Sequence, residues 1–452
     1  MGKAKIPAPV SSKGEISANL SRTDLVAVAV GQIIGAGIMA MTGTAIGMTG
    51  RSVNLAFVIA GLLCTLTAIP QILVGGTARF KGGQYTQVAV FGGQRLAGIF
   101  TCISIFSGVG IAMYVISFTE YLLALVPTAP SKIISVLILT ILFILNILGA
   151  KQAAVLQIIM CAVMAIAIGV FIVFGFPNLL PGYFDPPDFM TKGIPGVLMA
   201  SAYLSFAAGG AQYVINFSGE AQNPKRDIPF AIIVPTIAVS VVYAIMGTIA
   251  AGVLPIEDVS NKSLALVAET IMPRPVYMFF IIGGAMFALL TTLNATIGWM
   301  CRPFVQAAKD GWLPAVFGKI NMRFGTPTNV LVLFYVIGLV PILIGLDISV
   351  VSSSTVILTS AVKVILCFSA LRLPKVMPAL WAKSKFHVSD GLLKTVCIVG
   401  GIIATFQVFI MLATTKGVEL AGNVIILVVS TVYALLMNRK VQMKISYEDC
   451  ES

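Results

Sequence analysis

Apolar runs of about 20 residues or more fill most of this chain, and no other feature limits its fold as severely. There are twelve, at residues 24–47, 53–78, 94–126, 132–149, 153–176, 195–219, 228–254, 276–306, 327–346, 349–371, 392–414 and 419–437. A run of that length crosses the hydrocarbon core of a bilayer as an α-helix, which satisfies its backbone N–H and C=O groups within the segment. The expected fold is therefore an all-α polytopic membrane protein of about 12 transmembrane helices. Composition is consistent, with 58% of the 452 residues hydrophobic, 10% charged and a mean hydropathy of +1.00. A soluble chain of this length requires more charged surface. The third and eighth runs exceed what a bilayer needs, which predicts helices that tilt or project from it.

Charge distribution sets the orientation. All but seven of the 29 lysines and arginines fall in alternate segments that share one side with the N-terminus. Arg51, Lys132, Lys192, Lys262, Arg274 and Lys416 fall on the other side, and Lys363 alone lies inside a run. The positive-inside rule then places both termini in the cytoplasm and the chain in the cell membrane. The outer loops Pro177–Pro187 and Pro255–Pro275 are acidic and carry prolines, whereas the inner loop Arg372–Lys394 is basic and long enough for a short surface helix. The tail from Asn438 is polar and expected to be mobile. Met1–Ser21 lacks the charged, apolar, small-residue order of a cleaved signal.

Several function classes are disfavoured. The net charge of +12 would suit a nucleic-acid partner only if it were gathered on one surface, and here basic residues punctuate apolar runs. Cys64, Cys102, Cys161, Cys301, Cys367, Cys397 and Cys450 form no CxxC pair, and the single histidine, His387, lies in a loop. Neither a disulfide framework nor a metal site nor a cofactor is expected. An intramembrane enzyme would need an HExxH, a paired-aspartate or a GxSxG arrangement, and the sequence has none, so no catalytic residues are assigned.

Two runs carry a local contradiction. Gly31-Gln-Ile-Ile-Gly-Ala-Gly-Ile38 places three glycines in the first run, and glycine is poor helix material. The sixth run is interrupted at Ala207-Ala-Gly-Gly210. Glycine-interrupted helices in corresponding positions of two five-helix halves point to an inverted-repeat transporter, the substrate lying between the breaks. Spacing alone fits two unrelated packing seams as well.

The short motifs narrow this choice. Gln32-Ile-Ile-Gly-Ala-Gly-Ile38 resembles the helix 1 signature of the amino acid–polyamine–organocation family of permeases. Ala78-Arg-Phe-Lys-Gly-Gly-Gln-Tyr85 is similar to that family's loop after helix 2, and Gly219-Glu-Ala-Gln-Asn-Pro-Lys-Arg-Asp-Ile-Pro229 to its signature after helix 6. Arg302, Lys309-Asp-Gly-Trp-Leu-Pro314 and Gly325-Thr-Pro-Thr-Asn329 resemble its region from helix 8 to helix 9. The resemblance runs in order from residue 21 to about residue 440. It implies two inverted five-helix repeats, residues 23–177 and 178–375, then helices 11 and 12 over 376–438, with cytoplasmic tails 1–22 and 439–452. Helices 1 and 6 are expected to be broken.

In that arrangement, Ile34, Gly35, Ala36, Gly37 and Ile38 form one side of the substrate site. The amides of Ala36, Gly37 and Ile38 face a carboxylate at the positive end of the half-helix that follows the break. Phe206, Ala207, Ala208, Gly209 and Gly210 form the other side, with carbonyls of Phe206, Ala207 and Gly209 facing an α-ammonium group. The resemblance gives Phe206 the role of a covering aromatic gate. Ala208 and Gln212 stand where many relatives carry an aromatic and an acid. Glu220, Arg79 and Arg302 are expected to form a cytoplasmic-side charge network, and Glu120 to be solvated near the outer end of helix 3. Lys363 lies about 13 Å of helix before Arg372, too deep to snorkel comfortably, and is a coupling candidate. Some relatives carry a lysine in helix 5; counting from Gly149 places that position at or near Met164. Thr291, Thr292 and Thr296 are weak candidates for sodium ligands, since helical threonines more often bond to their own helix.

The function expected is secondary active transport of a neutral amino acid by alternating access, through exchange or proton coupling. An amine, polyamine or charged amino acid antiporter of the same fold is the alternative, and a non-transporting amino acid sensor a weaker one. The expected partners are the small-molecule substrate and membrane lipid; a homodimer is allowed and nucleic acid is not expected.

Overall fold

The computed structural model describes residues 20–443 and 447–448. The chain is almost wholly helical. In order, its helices are α1 (Arg22–Ile33), α2 (Ala36–Thr49), α3 (Val53–Gly75), α4 (Gly83–Gln87), α5 (Gln94–Ser107), α6 (Gly110–Leu125), α7 (Ser131–Leu148) and α8 (Ala150–Gly175). The second half continues with α9 (Gly193–Leu204), α10 (Pro224–Gly252), α11 (Ile256–Val259), α12 (Leu264–Ile271), α13 (Arg274–Phe279), α14 (Phe287–Asp310), α15 (Thr328–Ile344) and α16 (Ile348–Ala370). Short α17 (Leu373–Val376) and α18 (Pro378–Lys383) precede α19 (Asp390–Thr414) and α20 (Gly417–Met437). Among the described residues ten helical stretches are long and apolar enough to cross a bilayer, with two shorter apolar helices at Gly193–Leu204 and Thr328–Ile344. Every apolar run of the sequence overlaps one of these helices or a consecutive pair, the sixth only at its start, through α9.

The long runs are not simply tilted rods. The third is interrupted between α5 and α6 at Gly108 and Val109, and the eighth contains a π-helical turn at Phe280–Met286, between α13 and α14. Gly108-Val-Gly110 and Gly283-Gly284 mark both places, so the irregularity again follows missing Cβ atoms. The basic loop Arg372–Lys394 holds two short helices, α17 and α18, where one was expected.

The core forms around the broken helices. α1 packs against α8, α10 and α14, and α3 against α9, α10 and α19. α19 and α20 lie at the periphery, on α3 and α16 and on α5. Their outward side chains, such as Ile402, Phe409 and Leu436, are apolar and exposed, which suits a face turned to lipid. A capping box starts α1: Asp24 N donates to Ser21 Oγ and Ser21 N to Asp24 Oδ2.

The described part of the C-terminal tail does not hang free as the sequence suggested. Gln94 Nε2 donates to the carbonyls of Asn438 and Val441 at 2.6 and 2.9 Å, and Gln442 N to that of Asp310 at 3.2 Å. Tyr447–Glu448 (β2) pairs antiparallel with Arg79–Phe80 (β1). Backbone donors and acceptors hold the tail, and composition does not register those.

Candidate functional site

The first break lies at Ile34 and Gly35, between α1 and α2. Opening a helix inside a membrane leaves carbonyls to satisfy, and neighbouring helices supply the donors. Tyr243 Oη on α10 donates to Ile33 O at 2.8 Å. Thr292 Oγ1 on α14 lies 2.8 Å from Gly31 O, 3.0 Å from Ala288 O and 3.1 Å from Ile34 O. The amides of the first turn of α2, which begins at Ala36, have no acceptor within the helix.

The second break follows α9 and is longer, with no regular helix from Ser205 to Gly210. Gly210 has φ +131°, a conformation that L side chains rarely adopt, and its N–H donates to Gln212 Oε1 at 3.1 Å. Cys64 Sγ donates to Ser205 O at 2.8 Å. The chain continues as a 3₁₀ helix, Ala211–Phe217, rather than as the α-helix expected for a single run.

The two breaks touch. A Cβ added at Gly37 would stand 2.4 Å from Ala207 Cβ and 2.5 Å from Ala207 Cα, so the two backbones meet only because residue 37 is glycine. Beside this contact lies a small cavity of about 60 Å³. Gly35 and Gly37 line it from the first break; Phe206, Ala207, Gly209, Gly210 and Gln212 line it from the second. Thr292, Thr296 and Trp299 come from α14, and Thr355, Thr359 and Lys363 from α16. Gln32 Oε1 accepts from Thr296 Oγ1 at 3.1 Å and from Trp299 Nε1 at 2.9 Å. The Trp299 ring stacks flat on Tyr213, with centroids 3.9 Å apart. Among the described residues no carboxylate lines this space.

Sequence reasoning missed Ser107, Gly110 and Tyr114, which line the cavity from the interrupted third run. Gly108-Val-Gly110 was the available signal. Other candidates lie outside the lining: the side chains of Ile34, Ile38 and Ala208 are packed in the core, and Thr291 donates to Ala288 O of its own helix at 2.8 Å. Met164 is fully buried, and two earlier side chains of α8, Gln157 and Cys161, reach α1, donating to Ala27 O at 3.5 and 3.4 Å. Gln157 Oε1 accepts from Asn294 Nδ2 at 2.8 Å, and Asn294 Oδ1 from Asn146 Nδ2 at 2.9 Å. Glu120 is exposed.

The charge network is only partly as expected. Arg302 grips Glu220 with two nitrogens at 2.5 and 2.8 Å and lies 4.1 Å over the Phe217 ring. Arg79, however, donates to the Ala221 carbonyl at 3.1 Å rather than to the Glu220 carboxylate. The carboxylate's oxygens are already matched to the planar guanidinium fork of Arg302. An ion pair that the sequence did not suggest, Arg22–Asp227 at 2.8 Å, ties α1 to α10. Leu20 N also donates to Glu220 O and Gln222 N to Leu20 O. The start of the chain's helical body is thereby strapped to the segment after the second break.

Comparison with known proteins places this sequence among permeases. A family model described as "Amino acid permease" matches residues 20–436. A methylthioribose transporter of Bacillus subtilis is 26% identical over 338 residues, 70% of this chain and 73% of the relative. The branched-chain amino acid permease BcaP of the same organism is 25% identical over 345 residues, 71% of this chain and 73% of the relative. Cationic amino acid transporter 4, vacuolar, of Arabidopsis thaliana is 24% identical over 356 residues, 70% of this chain and 56% of the relative.

Proposed function

Because this chain belongs to the amino acid permease family, we propose that it is a secondary active transporter that carries a neutral amino acid across the cell membrane by alternating access. A multi-pass membrane permease, not an enzyme, is the common ground of the family and of the relatives. The finer reading rests chiefly on one observation: two helix breaks meet beside a cavity that, among the described residues, has no acidic side chain in its lining. The α-carboxylate lies at the free amides of α2, at the positive end of its dipole. The α-ammonium lies at the carbonyls of Phe206, Ala207 and Gly209, and the hydroxyls of α16 face the substrate's side chain. Phe206 covers the guest. Residues 23–177 and 178–375 act as the two inverted repeats, with both termini in the cytoplasm.

Arg302–Glu220, Arg22–Asp227 and the Leu20 strap form the inner closure, which separates when substrate is released inward. Exchange or proton coupling is favoured over sodium coupling, since Thr292 already directs its hydroxyl at the carbonyls a cation would need. A second reading, a neutral polar solute without an amine, draws support from the hydroxyls of Thr296, Thr355 and Thr359 and from the methylthioribose transporter among the relatives.

A thermal-unfolding screen of the purified protein against a full amino acid panel, putrescine and methylthioribose tests this reading. A ligand at 100 times its dissociation constant stabilises the folded state by about 2.7 kcal/mol. Neutral amino acids should raise the midpoint. A rise with methylthioribose alone favours the second reading, and a rise confined to arginine or putrescine contradicts both.

A further inference from the structure

Lys363 has no part in the account above, yet its ammonium faces the same cavity. A Cβ on Gly209 would stand 3.7 Å from Lys363 Nζ, which puts the charge against the second break. The side chain is only half-buried, and among the described residues it has neither an ion-pair nor a hydrogen-bond partner. Among the described residues no carboxylate shares its cavity, and Glu220 and Asp227 are paired elsewhere, with Arg302 and Arg22. An uncompensated cation in a membrane interior is costly and is seldom kept without a use.

The cavity is therefore positive from two directions, the amino-terminal end of α2 and the Lys363 ammonium, with no carboxylate in its lining to balance them. We propose that Lys363 is a charge filter: it excludes cationic amino acids and amines and admits guests of zero or negative net charge. This inference rests on the amino acid transport reading. In a zwitterion the α-ammonium is balanced by its own carboxylate and by the carbonyls of the second break. A cationic side chain adds a charge that nothing in the lining balances, whereas an acidic one supplies the anion that Lys363 lacks. At the effective dielectric of protein sites, like charges sharing one cavity weaken binding on the order of ten- to a hundredfold. The filter would separate this chain's selectivity from that named for its plant relatives, despite the likeness in sequence.

Counterflow of labelled L-leucine or L-alanine, whichever accumulates, into proteoliposomes preloaded with the same amino acid provides the test. In the wild type, arginine and putrescine should compete at least about tenfold more weakly than the unlabelled substrate, and glutamate more strongly than arginine. Lys363→Gln should narrow the gap between substrate and arginine about tenfold, and Lys363→Arg should preserve it. Arginine competing as well as the substrate in the wild type would overturn the filter even if the glutamine variant fails to fold. A glutamine variant that transports with unchanged discrimination would overturn it too. Failure of every amino acid to accumulate would instead overturn the transport reading, and the filter with it.

Discussion

At the scale of single residues, the site depends on side chains that are missing as much as on those present. A Cβ at Gly35 would meet Thr292 Oγ1 at 2.1 Å and Thr292 Cβ at 2.9 Å. Gly35→Ala should therefore cut transport at least about tenfold, in line with a displacement near 1 Å in a positioned site. Thr292→Ala in the same protein should restore part of the loss, because it removes the closest obstruction. At Gly37 the obstruction includes Ala207 Cα, so Gly37→Ala combined with Ala207→Gly should stay impaired. Uptake in reconstituted vesicles reads all three variants, and equal rescue at both sites would refute the steric account. Tyr243 is the complementary case of a hydroxyl that closes an open carbonyl. Tyr243→Phe leaves Ile33 O unpaired and should cost about 1–3 kcal/mol, seen as a lower unfolding midpoint in detergent.

At the scale of elements, the breaks were legible because glycine clusters inside apolar runs defy the rule that membrane helices stay closed. What glycine could not reveal is who satisfies the opened carbonyls. Tyr243 and Thr292 lie far along the chain from Ile33 and Gly31, and only the packing of α10 and α14 on α1 brings them together. The same glycine logic applied to Gly108-Val-Gly110 would have found the interruption of the third run and its cavity residues. The ion pairs show a similar division. Arg302 and Glu220 stood out as charges near apolar runs, whereas Arg22–Asp227 joins residues whose helices reveal nothing of their contact in sequence. With side chains 11% and 7% exposed, the Arg302–Glu220 pair is nearly buried. Glu220→Gln removes one partner and should destabilise the protein by about 3–5 kcal/mol. The charge-reversed double variant Glu220→Arg with Arg302→Glu should recover part of the unfolding midpoint; no recovery would mean the pair acts through something other than its charges.

At the scale of the whole molecule, helical class and span positions follow from hydropathy, since a bilayer permits few alternatives. The docking of the tail on Arg79–Phe80 was not legible, because strand pairing of two residues leaves no periodic trace. Orientation is a separate inference from charge. It predicts that a cysteine introduced at Asp258 reacts with an impermeant thiol reagent in intact cells, above the background of the native cysteines, whereas one at Lys319 reacts only after lysis. The reverse pattern would invert the assigned sides. The central claim is that the cavity between the breaks carries an amino acid from one side of the membrane to the other. Counterflow tests it most directly: purified protein in liposomes preloaded with an unlabelled neutral amino acid should accumulate the labelled form above its external concentration. Binding of that amino acid with no accumulation would contradict the claim and leave a sensor in its place.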